Sequence, residues 1–144
     1  MASYTVPFIF TVLILLNGCT QVTSTGGLAG GKLRPCPESP NCVSSESGSI
    51  RQIPPFSYTG TGEEAWQKVQ LSITELGGEI ITRDPTYIWS TFTSKVFRFV
   101  DDVELRLDRE GKTIHIRSGS RLGYWDFGVN KKRIEKMRVL FSSY

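Results

Sequence analysis

The sequence predicts an α+β fold, a two-layer sandwich in which an antiparallel sheet of about four strands carries two helices on one face. Three observations predict it. An apolar stripe at helical spacing stands mid-chain and a second near its end, and between them lie four short segments rich in β-branched and aromatic residues, separated by turn signals. Each helix has to bury its stripe, and a sheet of consecutive antiparallel strands offers a face for both. At 144 residues the chain has the length of one domain. Its 39% hydrophobic and 22% charged residues exclude a disordered, collagenous or coiled-coil chain. A net charge of +3, from 17 Lys and Arg against 14 Asp and Glu, is too small a surplus to make nucleic acid the expected partner.

In chain order, residues 1–18 read as an export signal. Val6 to Leu16 is an uncharged, apolar run of eleven, the length of a signal-peptide core and short of the roughly 20 residues a spanning helix needs. It ends in Leu16-Asn17-Gly18-Cys19, which resembles a bacterial lipobox. That resemblance implies cleavage between Gly18 and Cys19, diacylation of the Cys19 sulfur and acylation of the new amino group. An uncleaved N-terminal anchor is the alternative. Two or three acyl chains hold a protein lastingly at a membrane, since each buried CH₂ contributes about 0.8 kcal/mol. Residues 19–34, rich in Gly, Ser and Thr, read as a flexible tether reaching about 20 Å. Thr20 stands where an aspartate usually retains lipoproteins at the inner membrane. The resemblance therefore implies an exported protein on the periplasmic side of the outer membrane, if the cell is Gram-negative.

With Cys19 lipidated, Cys36 and Cys42 are an even pair in an oxidising compartment, and a disulfide is the expectation. Pro37 and Pro40 stiffen the loop between them, and Asn41 tolerates a left-handed turn. Redox chemistry and metal binding are the alternatives, although two cysteines and the single histidine, His115, fall short of the four ligands of a structural zinc site. No cofactor or metal is expected.

The globular domain spans residues 35–144. Its first part, from Leu33 to Tyr58, holds five prolines and no apolar period, and reads as irregular. Thr61-Gly62-Glu63-Glu64 is a capping box that opens a helix with Trp66, Val69, Ile73 and Leu76 on one stripe and Gly77-Gly78 as its stop. Glu79 to Arg83 and Tyr87 to Ser94 read as a hairpin around Asp84-Pro85-Thr86. In the third strand, Phe99, Asp101, Val103, Leu105 and Leu107 alternate with Val100, Asp102, Glu104, Arg106 and Asp108. Thr113 to Arg117 makes the fourth, with Ile114 and Ile116 inward and His115 outward. After a Gly-rich loop over residues 118–128, Asn130 is placed to cap a last helix whose inner side is Ile134, Met137 and Phe141. The aromatics Tyr87, Trp89, Phe92, Phe97 and Phe99 are read as core.

Three separated motifs stand out along this domain: Cys36-Pro37-Glu38-Ser39-Pro40-Asn41-Cys42-Val43-Ser44-Ser45, Arg98-Phe99-Val100-Asp101-Asp102-Val103-Glu104, and residues 117–133 from Arg117-Ser118-Gly119-Ser120-Arg121 through Tyr124-Trp125-Asp126-Phe127-Gly128 to Asn130-Lys131-Lys132-Arg133. In this order they resemble the DUF1499 family, a domain of unknown function, over roughly residues 35–140. The resemblance implies a bacterial or plastid protein, often exported or membrane-associated, and implies no activity.

The concentrated polar set is Arg98, Asp101, Asp102, Glu104, Arg117, Arg121, Asp126, Asn130 and Arg133, with Ser118 and Ser120. Two readings compete. The set can be a network of Arg–carboxylate pairs pinning the last loop to the sheet. Alternatively, Arg117, Arg121 and Arg133 can form an anion- or partner-binding pocket beside the N-terminus of the last helix. Asp101, Asp102 and Glu104 could instead serve a cation or acid–base chemistry, but strand alternation turns Asp101 away from the other two. Lys131, Lys132, Arg133, Lys136 and Arg138 make the last helix basic, which reads as a solvated face or as a contact for anionic lipid. The expectation is a non-enzymatic envelope lipoprotein that binds an envelope protein or a small anionic ligand. Its rival is an envelope hydrolase using the carboxylates, His115 and arginines.

Overall fold

The capping box does what its residues predict. In a computed structural model, which describes residues 26–46 and 51–144, helix α1 (Gly62–Glu75) opens with the Thr61 hydroxyl accepting the Glu64 amide at 3.2 Å. The Glu64 carboxylate accepts the Thr61 amide at 3.0 Å, so two of the four free N-terminal donors are satisfied. These bonds hold the Glu64 carboxyl below its ordinary pKa. Past the last turn, Gly77 takes a left-handed conformation at φ 80°, and Gly78 runs so close beneath Phe92 that a Cβ there would overlap the ring.

The strands are β1 (Leu28–Ala29), β2 (Lys32–Leu33), β3 (Cys42–Ser44), β4 (Phe56–Ser57), β5 (Glu79–Arg83), β6 (Tyr87–Thr93), β7 (Val100–Asp108) and β8 (Thr113–Ser120), and the chain closes with α2 (Val129–Ser143). The fold is α+β with two helices, as expected, but the main sheet has six strands rather than four. Its order is β3-β8-β7-β6-β5, and β4 also pairs with β8. Both additional strands come from the span read as irregular. β3 lies along Arg117–Gly119 and β4 along Thr113–Ile114, one after the other on the outer edge of β8. At three and two residues they are too short to show a period, and edge strands tolerate the flanking prolines that masked them. What they add to the apolar core is Val43 and Phe56.

β7 is the centre of this sheet, and its alternation divides the molecule. Val103, Leu105 and Leu107, with Ile88, Ile114 and Ile116 from the neighbouring strands, form one core with Trp66, Val69 and Ile73 of α1 and Ile134, Met137 and Phe141 of α2. Of the aromatics read as core, only Phe92 is buried with them. Tyr87 and Trp89 are half-buried on the opposite face, and Phe97 and Phe99 are exposed in the loop before β7. β8 also runs three residues beyond the expected Arg117, to Ser120.

The second face of the sheet meets the segment of residues 26–34. β1 and β2 pair as a hairpin, Leu33 is buried, and the Gly27 amide donates to the Glu104 carboxylate on β7. The last part of the expected tether, residues 26–34, is therefore docked structure, because Gly26 and Gly27 allow the backbone to approach a buried carboxylate that needs donors. At Gly26 a Cβ would come within 2.8 Å of Glu104 Oε1. The signal segment of residues 1–18 and the lipidation site Cys19 lie outside the described residues. Among the described residues no helix is long and apolar enough to cross a membrane.

Cys36 and Cys42 are joined by a disulfide with Cα atoms 5.6 Å apart. Cys42 stands opposite Gly119 in the β3–β8 register, where a Cβ would sit 3.1 Å from its sulfur. The bridge pins an edge strand that is otherwise held by three residues. Replacing both cysteines by Ser should lower unfolding free energy by about 2 kcal/mol, the entropy of so small a closed loop. Denaturant titration would show this as a lower midpoint with an unchanged slope, and reduction of the native protein should give the same shift.

Candidate functional site

Alternation along β7 and β8 sorts the polar residues into two separate clusters. Asp101 shares the helix-facing side with Val103, and Ser118 and Ser120 share it with Ile116. Asp102, Glu104, Arg106 and Asp108 face the other way, opposite Gly119, Arg117, His115 and Thr113.

On the helix side, Arg133 reaches down from α2 and donates to Asp101 Oδ2 at 2.6 Å and to Asn130 Oδ1 at 2.8 Å, with its guanidinium 4.8 Å from the Phe92 ring centroid. Asn130 is fully buried. Its Oδ1 also accepts the Ser118 hydroxyl at 2.5 Å, while its Nδ2 donates to the Asn41 carbonyl, the Ser120 hydroxyl and Asp126 Oδ2 at 3.0–3.1 Å. It does not cap α2. That role falls to Asp126, whose carboxylate accepts the amides of Gly128 at 3.0 Å and Asn130 at 2.9 Å, while Gly128 makes the left-handed entry at φ 76°. Asn130 is the second residue of α2, inside the helix rather than at its N-cap, and its polar atoms are used in the buried seam between β3, β8 and α2.

On the other side the central pair is Glu104 and Arg117, 0% and 2% exposed, with Arg117 Nη1 2.8 Å from Glu104 Oε2. Glu104 Oε1 accepts the Tyr87 hydroxyl at 2.5 Å and the Gly27 amide. Burial, and then this bond, push the Tyr87 phenol well above its ordinary pKa. Next along the sheet, Arg121 forks onto Asp102 with bonds of 3.0 and 2.8 Å, Trp89 Nε1 donates to the same carboxylate at 2.7 Å, and the Asp102 bond holds the Arg121 proton more firmly than usual. Toward the opposite end, Arg106 donates twice to Glu46 Oε1, at 3.1 and 2.6 Å. His115 lies beside that pair, with Nδ1 3.2 Å from the Ser45 hydroxyl and Nε2 3.9 Å from Asp108. Its pKa is lowered, first by burial and also by Arg106, against the pull of Glu46 and Asp108.

The expected set is thus split between two faces. Arg133 is separated by the sheet from Arg117 and Arg121, so the three do not line one pocket, and each guanidinium sits on its own carboxylate. Arg98 joins neither cluster and is exposed in the β6–β7 loop. Ser118 and Ser120 face away from His115. The serine that meets it is Ser45, whose buried hydroxyl already accepts the Ile116 amide at 2.9 Å. Among the described residues no three His, Cys, Asp or Glu side chains gather to hold a metal ion.

The sequence reading missed Asn41, Glu46 and a group of exposed apolar side chains. The loop of residues 94–99 and the loop of residues 121–128 leave the same end of the sheet, joined by the Arg121 amide donating to the Val100 carbonyl at 3.1 Å. They present Val96, Phe97 and Phe99 on one side and Leu122, Tyr124, Trp125 and Phe127 on the other, with Val129 following. Of these five aromatics, Phe97, Tyr124, Trp125 and Phe127 stand in segments without strand or helix period, Tyr124 beside Gly123 and Phe127 beside Gly128, and that was the available signal that they are not core.

The family model described as "Protein of unknown function (DUF1499)" matches residues 32–141. No curated protein matches the chain.

Replacing Arg117 by Met should cost about 3–5 kcal/mol of stability, since Glu104 would stay buried without its cation. Arg121→Ala, where the guanidinium is partly exposed and the buried Asp102 keeps its Trp89 donor, should cost less, about 2 kcal/mol. Urea unfolding separates the two, and an Arg117→Met protein as stable as the native one would mean the pair does not hold the sheet. As pH falls, the unfolded chain protonates its histidine before the native one does. Neutral His115 therefore contributes stability above about pH 6.5 that is lost below it. His115→Gln should flatten that acid limb in thermal melts.

Proposed function

The chain belongs to the DUF1499 family, and on that footing we propose that it is a non-enzymatic envelope lipoprotein: an α+β domain carried at a membrane by acyl chains on Cys19, with a binding surface at the loop end of its sheet. The observation that carries the reading is the state of the charged set. Asp101, Asp102, Glu104 and Glu46 are each bonded to an arginine inside the fold, so the groups a hydrolase would need are engaged in holding strands together. The anion-binding role weighed for Arg117, Arg121 and Arg133 loses its support for the same reason. The apolar run before Leu16-Asn17-Gly18-Cys19 supports export and lipidation, and a stapling disulfide is the chemistry of an oxidising compartment.

Intact mass of the protein extracted from membranes, with and without the signal peptidase II inhibitor globomycin, tests this reading. The expected species begins at Cys19, carries a diacylglyceryl group, and is two hydrogens lighter than the free dithiol. A chain still starting at Met1 or Ala2 and bearing no lipid would overturn it.

A further inference from the structure

The apolar residues at the loop end are not a remnant of the core. Phe127 is 86% exposed, Phe97 74% and Trp125 63%, and among the described residues the only aromatic ring contacts at this end are Phe97 with Phe99 and Tyr124 with Trp125. Both loops are backbone-strained where they present these rings. Arg98 and Phe127 are two of the three non-glycine residues with positive φ among the described residues, at 56° and 53°. A phenylalanine held left-handed and almost wholly in water gains nothing within the fold that offsets its strain, and strain of this kind gathers at sites that bind something.

The exposed charges around the patch are all positive. Residues 94–99 and 121–132 contain a single acid, Asp126, and its carboxylate is taken up by backbone amides. Arg121 and Arg133 are paired within the sheet network. That leaves Lys95, Arg98, Lys131 and Lys132, all exposed and without an ion pair among the described residues. Protruding rings of Trp, Tyr and Phe, touching in pairs and ringed by lysine and arginine, match the depth profile of a bilayer, with aromatic groups at the headgroup level and cations against anionic phosphates. A flat protein partner would instead call for a contiguous packed face.

We propose that these two loops form an interfacial lipid-binding face, seated in the headgroup region of an anionic bilayer by Phe97, Tyr124, Trp125 and Phe127 and held by Lys95, Arg98, Lys131 and Lys132. The proposal rests on the tethered reading for proximity to the membrane, and the covalent reach is sufficient. From Cys19 to Gly26 is seven residues, at most about 24 Å of chain. From Glu104, where the adjoining Gly27 docks, to the loop end at Val100 is four strand residues, about 13 Å. The anchor and the loops can therefore meet the same surface, and the lipid would orient the domain as well as hold it.

Trp125 reports on this directly. The full chain, purified with its anchor, would be reconstituted into vesicles of phosphatidylcholine and phosphatidylglycerol with or without bromine on the acyl chains. The Trp125 signal is taken as the difference between native protein and Trp125→Phe, an exposed site where the substitution leaves the fold intact. The expected result is a blue-shifted Trp125 emission quenched by the brominated lipid, both weakened when phosphatidylglycerol is omitted and in a Lys131→Glu, Lys132→Glu variant. An anchored protein whose Trp125 emits as in water and is not quenched would overturn the proposal. So would a blue shift that depends on protein concentration without lipid, which would assign the face to a second copy of the chain. If intact mass shows no acyl chain, the tethered reading fails by itself, and the same quenching on vesicles added to the full chain still decides for or against the loops.

Discussion

Glu104 and Arg117 form the interaction on which the rest of this structure depends. Taking a carboxylate and a guanidinium out of water costs several kcal/mol per ion, so such a pair survives only where further hydrogen bonds complete it. Here they come from different parts of the chain: the Tyr87 hydroxyl on β6, the Gly27 amide from the N-terminal segment, and Arg117 itself on β8. One carboxylate on the central strand thereby ties both neighbouring strands and the covering segment together. It also sets their register. A slip of one residue would carry Glu104 into the apolar layer under the helices and turn Val103 toward the polar side, so the wrong pairing is penalised twice.

The helix side repeats the device with a neutral residue at its centre. Asn130 has an acceptor and two donors, and in the seam between β3, β8 and α2 they are met by Ser118, Arg133, Asn41, Ser120 and Asp126. Since Asn41 directly precedes β3 and Ser118 and Ser120 lie on β8, the seat of α2 on the sheet is tied to the pairing of β3 with β8. The disulfide then closes a short loop on an edge strand whose position this network already requires. Long-range polar satisfaction does here what a larger apolar core would do in a bigger domain.

Where local chemistry decides the structure, the sequence was readable. The capping box, the Trp66–Val69–Ile73 stripe, the turn at residues 84–86 and the alternation from Asp101 to Leu107 each act within a few residues, and each appears at its expected place. Three features failed for the opposite reason. β3 and β4 are strands only because the β8 edge is there to receive them. Asn130 does not cap because α2 begins one residue earlier, on the left-handed Gly128 and the Asp126 carboxylate, and the Gly-rich segment of residues 26–34 docks on the sheet because Glu104 needs a donor. Parity along β7 did foretell that Asp101 would part from Asp102 and Glu104. It could not foretell that each would find its own arginine, since Arg121 and Arg133 lie outside regular strand positions.

The two kinds of charge in this molecule then acquire different meanings. Those on the sheet faces are paired and buried or half-buried, so their energy goes into order. The exposed charges at the loop end, Lys95, Arg98, Lys131 and Lys132, are all cationic and without an ion pair among the described residues, and they surround rings that the fold leaves in water. A protein stabilised chiefly by apolar burial has every reason to hide four aromatics. This one holds two of its loops in strained backbone conformations that keep them out. Only a rigid base can sustain such strain, and the base is the networked end of the sheet, where Asn41 Nδ2 donates to the Gly123 carbonyl and Asp126 fixes the turn into α2. The internal network therefore fixes the loop of residues 121–128 at the end of the sheet with its rings turned to solvent.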